Sequence, residues 1–425
     1  MPTLLQINAA LNRGSTGRIA EQIGILAQKQ GWEVYIAHGA RYTDKSDLNT
    51  IQVVTKTEEK LHAIKSLLFD SHGLDSGKAT KKFVERIKEI KPDIIHLHNI
   101  HGYYLNYKIL FEYLATIDTP IVWTLHDCWT MTGHCAYFDA VGCEKWKTGC
   151  HKCPLKGEYP KSILFDSSTR NYALKKKLFT SLKNATIVPV SQWLGSITKE
   201  SYLGWHNVHV INNGIDINTF KPAECTTLYT SSNNKEKKII LGVASIWEER
   251  KGLKDFIKLR KILPEKYKII LVGLSKKQIE CLPKGITGIS RTNSTEELAR
   301  YYSTANVYVN PTYEDNFPTT NLEALACGTP VITYRTGGSP ESVTPETGIV
   351  VDKGNFNDLA KAIEVVCNKG KEYYSTACRE RAVSLYNKDD RFNEYIELYN
   401  TLLNQHIECA DREDETRMQQ HKIAY

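Results

Sequence analysis

Long apolar runs are missing from this 425-residue sequence. Nothing in it approaches the roughly 18 consecutive apolar residues that a membrane-spanning helix needs. Its first residues, MPTLLQINAALNRGSTG, have neither a basic opening nor an extended apolar core, so they do not read as an export signal. A cytoplasmic protein is therefore the expectation. Strong charge of one sign is missing too. The net charge is +7, with scattered lysines and small clusters at 175–177 and 235–238. Most such runs are solvated faces, although they also suit anionic substrates or an anionic membrane surface. No nucleic-acid motif accompanies them, so nucleic acid is not an expected partner. Neither G-x-G-x-x-G nor G-x-x-x-x-G-K-[ST] occurs, which removes the usual dinucleotide and P-loop signatures.

What is present is globular: 41% apolar and 24% charged residues exclude a disordered chain. The length exceeds one ordinary core, so two domains of about 150 to 200 residues are expected. Short β-rich runs alternate with helical patterns: TLLQINA (3–9), EVYIAHG (33–39), DIIHLH (93–98), IVWTLHD (121–127), ATIVPVS (185–191) and VHVINNG (208–214). Between the first two lies GRIAEQIGILAQKQG, a helix with Ile19, Ile23 and Leu26 on one face and Gly31 at its end. A polar, turn-rich stretch at 222–238 reads as a linker. A second alternation follows it, then helices to about 408 and a polar tail at 409–425. The rhythm implies parallel βα units, hence two doubly wound, Rossmann-like α/β domains (1–221 and 239–408) facing a central cleft. In such sheets ligands sit beyond the strand C-termini, so the loops there are where chemistry is sought.

Five loops qualify. NRGSTGRIA carries Gly14 and Gly17 at a helix start, where free amides favour an anion; a plain tight turn fits equally well. DIIHLHNIHGYY brings His98, Asn99 and His101 to a strand end as substrate-facing groups, with His96 read as a satisfied core residue. No carboxylate completes a metal set there. His126 and Asp127 follow the next strand; His126 can orient or polarise a substrate, unless Asp127 is simply a cap. In the second half, Arg250 and Lys251 precede a helix as a candidate diphosphate clamp, against a reading as two exposed cations. Finally, NPTYEDNFPTTNLEALACGTPVI sets Asp315 in a loop and Glu323 on a helix. The amides of Thr319 and Thr320 are free to hold a phosphate, and the carboxylates suit paired sugar hydroxyls.

The remaining cluster is the insertion at 134–160, which holds Cys135, Cys143, Cys150 and Cys153, with His134 and His151 nearby. Its C-x-x-C is a zinc-type spacing; structural zinc, free buried thiols and disulfides are the readings, in that order.

The segment PTYEDNFPTTNLEALACGTPVITYRTGGSPE resembles the signature of family 4 retaining glycosyltransferases of the GT-B fold. The Gly-bearing first loop, HD after a strand, VINNGIDINTF and RKG extend the resemblance over nearly the whole chain. HLHNIHGYY and the cysteine segment are similar to the subgroup that builds bacterial capsule, exopolysaccharide or O-antigen chains. The resemblance implies a retaining transfer from a nucleotide-sugar donor to a glycan or polyprenyl-linked acceptor, at the inner face of the plasma membrane. It implies that Glu323 holds the donor ribose hydroxyls and that Asp315, where most relatives carry Glu, faces the transferred sugar. Lys251 matches the diphosphate lysine; Arg250 stands in for an arginine that "AS" replaces here. Gly14 or Gly17 lies by the phosphates, His126 near the reacting sugar, and His98 to His101 toward the acceptor. No catalytic cofactor is implied: the sequence has no Asp-x-Asp motif, and a retaining transferase of this type needs no carboxylate nucleophile, unlike a retaining glycosidase. Two rivals stand beside it: another GT-B chemistry, a nucleotide-sugar epimerase or phosphorylase, and, from the departures at Asp315 and Pro318, a catalytically silent subunit of a polysaccharide assembly machine.

Overall fold

The computed structural model describes residues 1–223 and 237–423, with side chains through residue 408. Most of the expected linker, 224–236, lies outside the described residues.

The first half runs β1 (Thr3–Asn8), α1 (Gly14–Lys29), β2 (Glu33–His38), β3 (Asn49–Gln52), α2 (Lys56–Phe69), α3 (Gly77–Ile90), β4 (Ile94–Leu97), α4 (Tyr107–Leu114) and β5 (Ile121–Leu125). The insertion with the short α5 (Lys145–Thr148) follows, then α6 (Ser168–Phe179), β6 (Ala185–Pro189), α7 (Gln192–Glu200) and β7 (Asn207–Val208). Its seven strands are all parallel, in the order β3-β2-β1-β4-β5-β6-β7. The central strands are buried along their whole length, as expected when helices cover both faces of a parallel sheet.

The second half repeats the plan with β8 (Lys238–Val243), α8 (Leu253–Ile262), β9 (Tyr267–Val272), α9 (Lys276–Glu280), β10 (Ile286–Ile289), α10 (Thr295–Thr304), β11 (Val307–Asn310), α11 (Thr319–Ala326), β12 (Val331–Tyr334), β13 (Gly348–Val351), α12 (Phe356–Lys369), α13 (Lys371–Tyr386) and α14 (Lys388–Ile423). Its six parallel strands are ordered β10-β9-β8-β11-β12-β13. In each sheet the order reverses beside the first strand, between β1 and β4 and between β8 and β11. A crevice opens at such a reversal.

Three local expectations change. Strand β7 is only Asn207–Val208, although His209 and Ile211 still donate to the β6 carbonyls of Ile187 and Pro189; Asn213 then reaches the Phe317 carbonyl of the second domain. Strand β3, NTIQ, was not legible because it is a largely exposed edge without an apolar run. The terminal helix does not stay with the second domain. Its Phe392, Tyr395, Ile396 and Tyr399 form an i, i+3, i+4, i+7 stripe that is buried in one cluster with Ile23, Ala27 and Trp32 of the first domain. Trp32 meets the Tyr399 ring edge-on at 5.7 Å. Residues 409–423, expected as a polar tail, continue this helix backbone. Among the described residues no helix is long and apolar enough to cross a membrane.

Candidate active site

The loops beyond β8 and β11 build one wall of the cleft. A 3-10 turn at Glu249–Lys251 ends at Gly252, whose φ of 76° and tight approach to the Pro311 carbonyl leave no room for a side chain. This turn aims the Lys251 ammonium at Asp315, 2.5 Å from its carboxylate. The two residues read separately from the sequence are thus one ion pair. Arg250 is engaged elsewhere: its guanidinium donates to Glu248 and to the Glu314 carbonyl, 3.0 and 3.1 Å away, and lies over the Tyr137 ring at 4.7 Å. Its expected place in a diphosphate clamp therefore competes with a fixed structural role.

Helix α11 starts behind Pro318, which gives no side-chain cap, so the amides of Thr319 and Thr320 face out uncapped. On the same helix Glu323 is half-buried and accepts a 2.8 Å hydrogen bond from the Tyr302 hydroxyl. Burial pushes its carboxyl up to about 7, against the opposing pull of Tyr302 and of Arg18. Arg18 is an exposed residue in the first turns of α1, in the other domain. Its positive charge favours the ionised form of Glu323. In the first turn of α1, Gly14 needs its positive φ of 67° and is open to solvent, while Gly17 packs against Ala10 and Asn12 of the preceding loop.

The facing wall comes from β4 and β5. Burial is deeper here than the sequence suggested. His96 is a core residue, held by Thr124 at 2.8 Å and by the Tyr399 hydroxyl at 2.6 Å. His98, expected toward the acceptor, is 1% exposed and sits between Gln6 and His126. Strand alternation puts it on the same face as His96, with ring centroids 3.9 Å apart. His101 is also buried; its Nε2 meets Asp127 at 2.8 Å and its Nδ1 the Tyr159 hydroxyl at 3.0 Å. Burial would raise the Asp127 carboxyl, but His101 and the Trp129 amide hold it below its usual value. Asp127 also accepts from that amide at 2.9 Å, but the short 3-10 turn at Trp129–Met131 starts from Cys128 with no side-chain cap, so the reading of Asp127 as a helix cap does not hold. Of the three acceptor-side residues only Asn99 is partly exposed, its amide bonded to Asn8. His126 itself is half-buried, and its carbonyl accepts from Asn316 across the cleft at 2.7 Å. That bond ties the first-domain histidine to the loop holding Asp315.

Asn316, Gln6 and Tyr302 were passed over in the sequence, as was the insertion's second task. Asp139 of the insertion binds Lys353 (3.0 Å) and Thr336 (2.7 Å), and Glu314 accepts from the Ala140 amide at 3.0 Å. Glu341 takes the Gln192 and Trp193 amides at the start of α7. Three second-domain segments are thereby clasped to the first. Lys175, read as part of a solvated basic run, is buried over the Trp129 ring and donates to the Trp129 and Thr132 carbonyls. Burial pushes its ammonium down to about 7.

The four insertion cysteines line one small cavity with His134 and His151. His134 is buried, its Nδ1 held by Asp70 at 2.6 Å and its Nε2 without a partner. The thiols are free, as are all nine described cysteines. Among the described residues no three His, Cys, Asp or Glu side chains are already gathered around a common metal position.

Comparison with known proteins follows this division of the chain. Residues 17–219 match the family model Glycosyltransferase Family 4, and 228–382 match Glycosyl transferases group 1. The chain is 25% identical over 413 residues to WcaC of Escherichia coli K12, a glycosyl transferase provisionally assigned to colanic acid biosynthesis; the match covers 94% of this chain and 100% of WcaC. It is 20% identical to an uncharacterized 41.2 kDa protein in the cps region of Klebsiella pneumoniae, covering 84% and 93%. Among solved structures, sucrose-phosphate synthase of Thermosynechococcus elongatus superposes with a TM-score of 0.71 at 20% identity, over 95% of this chain and all of that one. HepE of Anabaena, solved with UDP, gives 0.65 at 14% identity, over 94% and 100%. The fold is GT-B: two facing parallel-sheet domains with the loops above meeting in the cleft.

Proposed function

Because the chain belongs to the family 4 and group 1 glycosyltransferases, we propose that it moves a sugar, with retention of configuration, from a nucleotide-sugar to a glycan or lipid-linked acceptor during assembly of a cell-surface polysaccharide. The observation that carries this reading is the grouping of Lys251, Asp315, the uncapped α11 amides and Glu323 opposite His126. The names of the relatives support the pathway class, and the UDP bound to HepE supports the donor class.

In this reading the donor diphosphate lies against Lys251 and the Thr319 and Thr320 amides. These donors sit ready for the charge that grows as the diphosphate departs. Asp315 holds the ammonium in place and has a second oxygen for a hydroxyl of the transferred sugar. Glu323 accepts from the ribose hydroxyls, with Tyr302 fixing its carboxyl. The acceptor hydroxyl attacks from the face that the nucleotide leaves, and no metal takes part.

A lipid-linked acceptor calls for contact with a membrane surface. The first domain exposes Leu61, Ile64 and Phe69 on α2 beside Ile163, Leu164 and Phe165, with Phe69 and Phe165 stacked at 5.9 Å. Lys56, Lys60 and Lys161 flank this patch and are exposed. Apolar side chains rimmed by lysines suit an anionic bilayer face, and the protein would act at the cytoplasmic side. For the cysteine cluster the reading carried forward is a structural zinc, supported by the shared cavity and the free Nε2 of His134.

The test is a screen of nucleotide-sugars for protein-stimulated nucleotide release. One donor class is expected to respond, and Lys251→Ala is expected to lower its kcat by about 100-fold, the scale for one donor group at a developing oxyanion. Unchanged turnover in a folded Lys251→Ala protein would overturn the site assignment.

A further inference from the structure

A chain of hydrogen bonds from the core to the cleft fixes where the protons lie. Gln6, on β1, is fully buried, and its amide nitrogen donates to the Ala20 carbonyl at 2.8 Å. A carbonyl only accepts, so the amide cannot be turned the other way and its oxygen faces His98 Nε2, 3.0 Å away. His98 must therefore carry its proton on Nε2. Burial disfavours the imidazolium of His98, which leaves a lone pair on Nδ1. That lone pair faces His126 Nε2 at 3.1 Å, so His126 Nε2 is the donor. With ring planes 17° apart and centroids 5.4 Å apart, the two rings meet edge to edge, as an in-plane hydrogen bond requires. The reverse arrangement would set the Gln6 oxygen against the His98 lone pair. Exposure rises along the chain: Gln6 and His98 are buried, whereas His126 is half-buried at the cleft wall. Beneath it, the His96 ring lies tilted by 37° against His98 and is itself held at both nitrogens by Thr124 and by Tyr399 of the terminal helix.

We infer that Gln6 and His98 are positioning residues that lock His126 as the neutral Nε2–H tautomer, so that its Nδ1 lone pair accepts a hydrogen bond from a hydroxyl of the sugar substrate. The role of His126 rests on the transferase reading above; the tautomer does not. Because one ring nitrogen sets the state of the other, the device selects a hydroxyl and excludes an acceptor-only group at that position.

Long-range proton–nitrogen spectra of the full chain, labelled with nitrogen-15 in histidine, test this at pH 7.5. Both His98 and His126 are expected as neutral Nε2–H forms. An Nδ1–H form or an imidazolium at His126 overturns the inference. Gln6→Met keeps shape but removes the acceptor; reversed tautomers are expected at both histidines, with kcat down about tenfold, the worth of one neutral hydrogen bond, and the donor KM nearly unchanged. His98→Asn places an oxygen where Nδ1 stood and is expected to retain the His126 tautomer and most of kcat, which His98→Ala does not. Unaltered tautomers and kcat in Gln6→Met refute the proposal. Should a variant fail to fold, the wild-type spectrum decides. Absence of nucleotide release with every donor would sink the proposed function and leave the tautomer result standing.

Discussion

Glu323→Gln is expected to make the free protein more stable at pH 8 while weakening its hold on the donor. Burial holds this carboxyl near 7 rather than at its ordinary 4.5. At about 1.4 kcal/mol per pH unit, keeping it ionised costs the folded chain about 3 kcal/mol above pH 7. Glu323 is only half-buried and feels Arg18, so solvent and that cation reduce the recoverable part to about 1–2 kcal/mol. The sign follows from proton binding. Between 4.5 and 7 the unfolded chain releases this proton while the folded chain keeps it, so wild-type stability falls across that window. The glutamine is neutral throughout and still accepts from the Tyr302 hydroxyl through its amide oxygen. Thermal unfolding should therefore show almost no difference at pH 4.5 and a Tm gain for Glu323→Gln of roughly 2–8 °C at pH 8, taking about 2–4 °C per kcal/mol for a domain of this size. Donor binding by the wild type should weaken as pH falls through 7, because a protonated carboxyl loses acceptor capacity. An equal or lower Tm for Glu323→Gln at pH 8 would refute the reasoning.

Other expectations concern the clasp, the cavity and the surface patch. Asp139→Ala removes a partly exposed ion pair with Lys353 and the bond to Thr336, worth about 1 kcal/mol. Small-angle scattering should show a larger radius and kinetics a higher donor KM, and identical values in both would discount the clasp. Metal analysis of chelator-free protein should find about one zinc per chain, reduced in His134→Ala; no zinc in the wild type ends the metal reading. Replacing both Leu164 and Phe165 by Ser should lower binding to anionic vesicles by tenfold or more, since each buried apolar side chain contributes about 1.5–3 kcal/mol. Equal binding of the two proteins would exclude the patch.

The legible part of the site lay where chemistry and chain position coincide. Lys251, Asp315 and Glu323 were readable because each stands in a loop or helix just past a strand, and such places face the cleft whatever the rest of the chain does. His98 was misjudged for a related reason. Strand alternation placed it with His96, but only the packing of Gln6 beneath it and His126 beside it shows that this face is interior. Arg250 met a partner, Tyr137, that lies in a separate segment of the other domain. Glu314 accepts from the Ala140 amide, more than a hundred residues away, a pairing that no local window of sequence shows. Lys175 reads as solvated in any local window, yet Trp129 and two carbonyls take it inside.

By itself the sequence determined the βα rhythm, the two parallel domains and the family signature, since these depend on periodicity and on short loops whose geometry is local. Tertiary structure alone decided which groups meet: Lys251 with Asp315, Asn316 with His126, and the terminal helix with the first domain, where Tyr399 reaches His96 across 303 positions of chain. The physical reason is that a hydrogen bond or a buried face depends on the distance between atoms. A sequence specifies that distance only within a turn or two, and beyond this the packing of whole elements sets it.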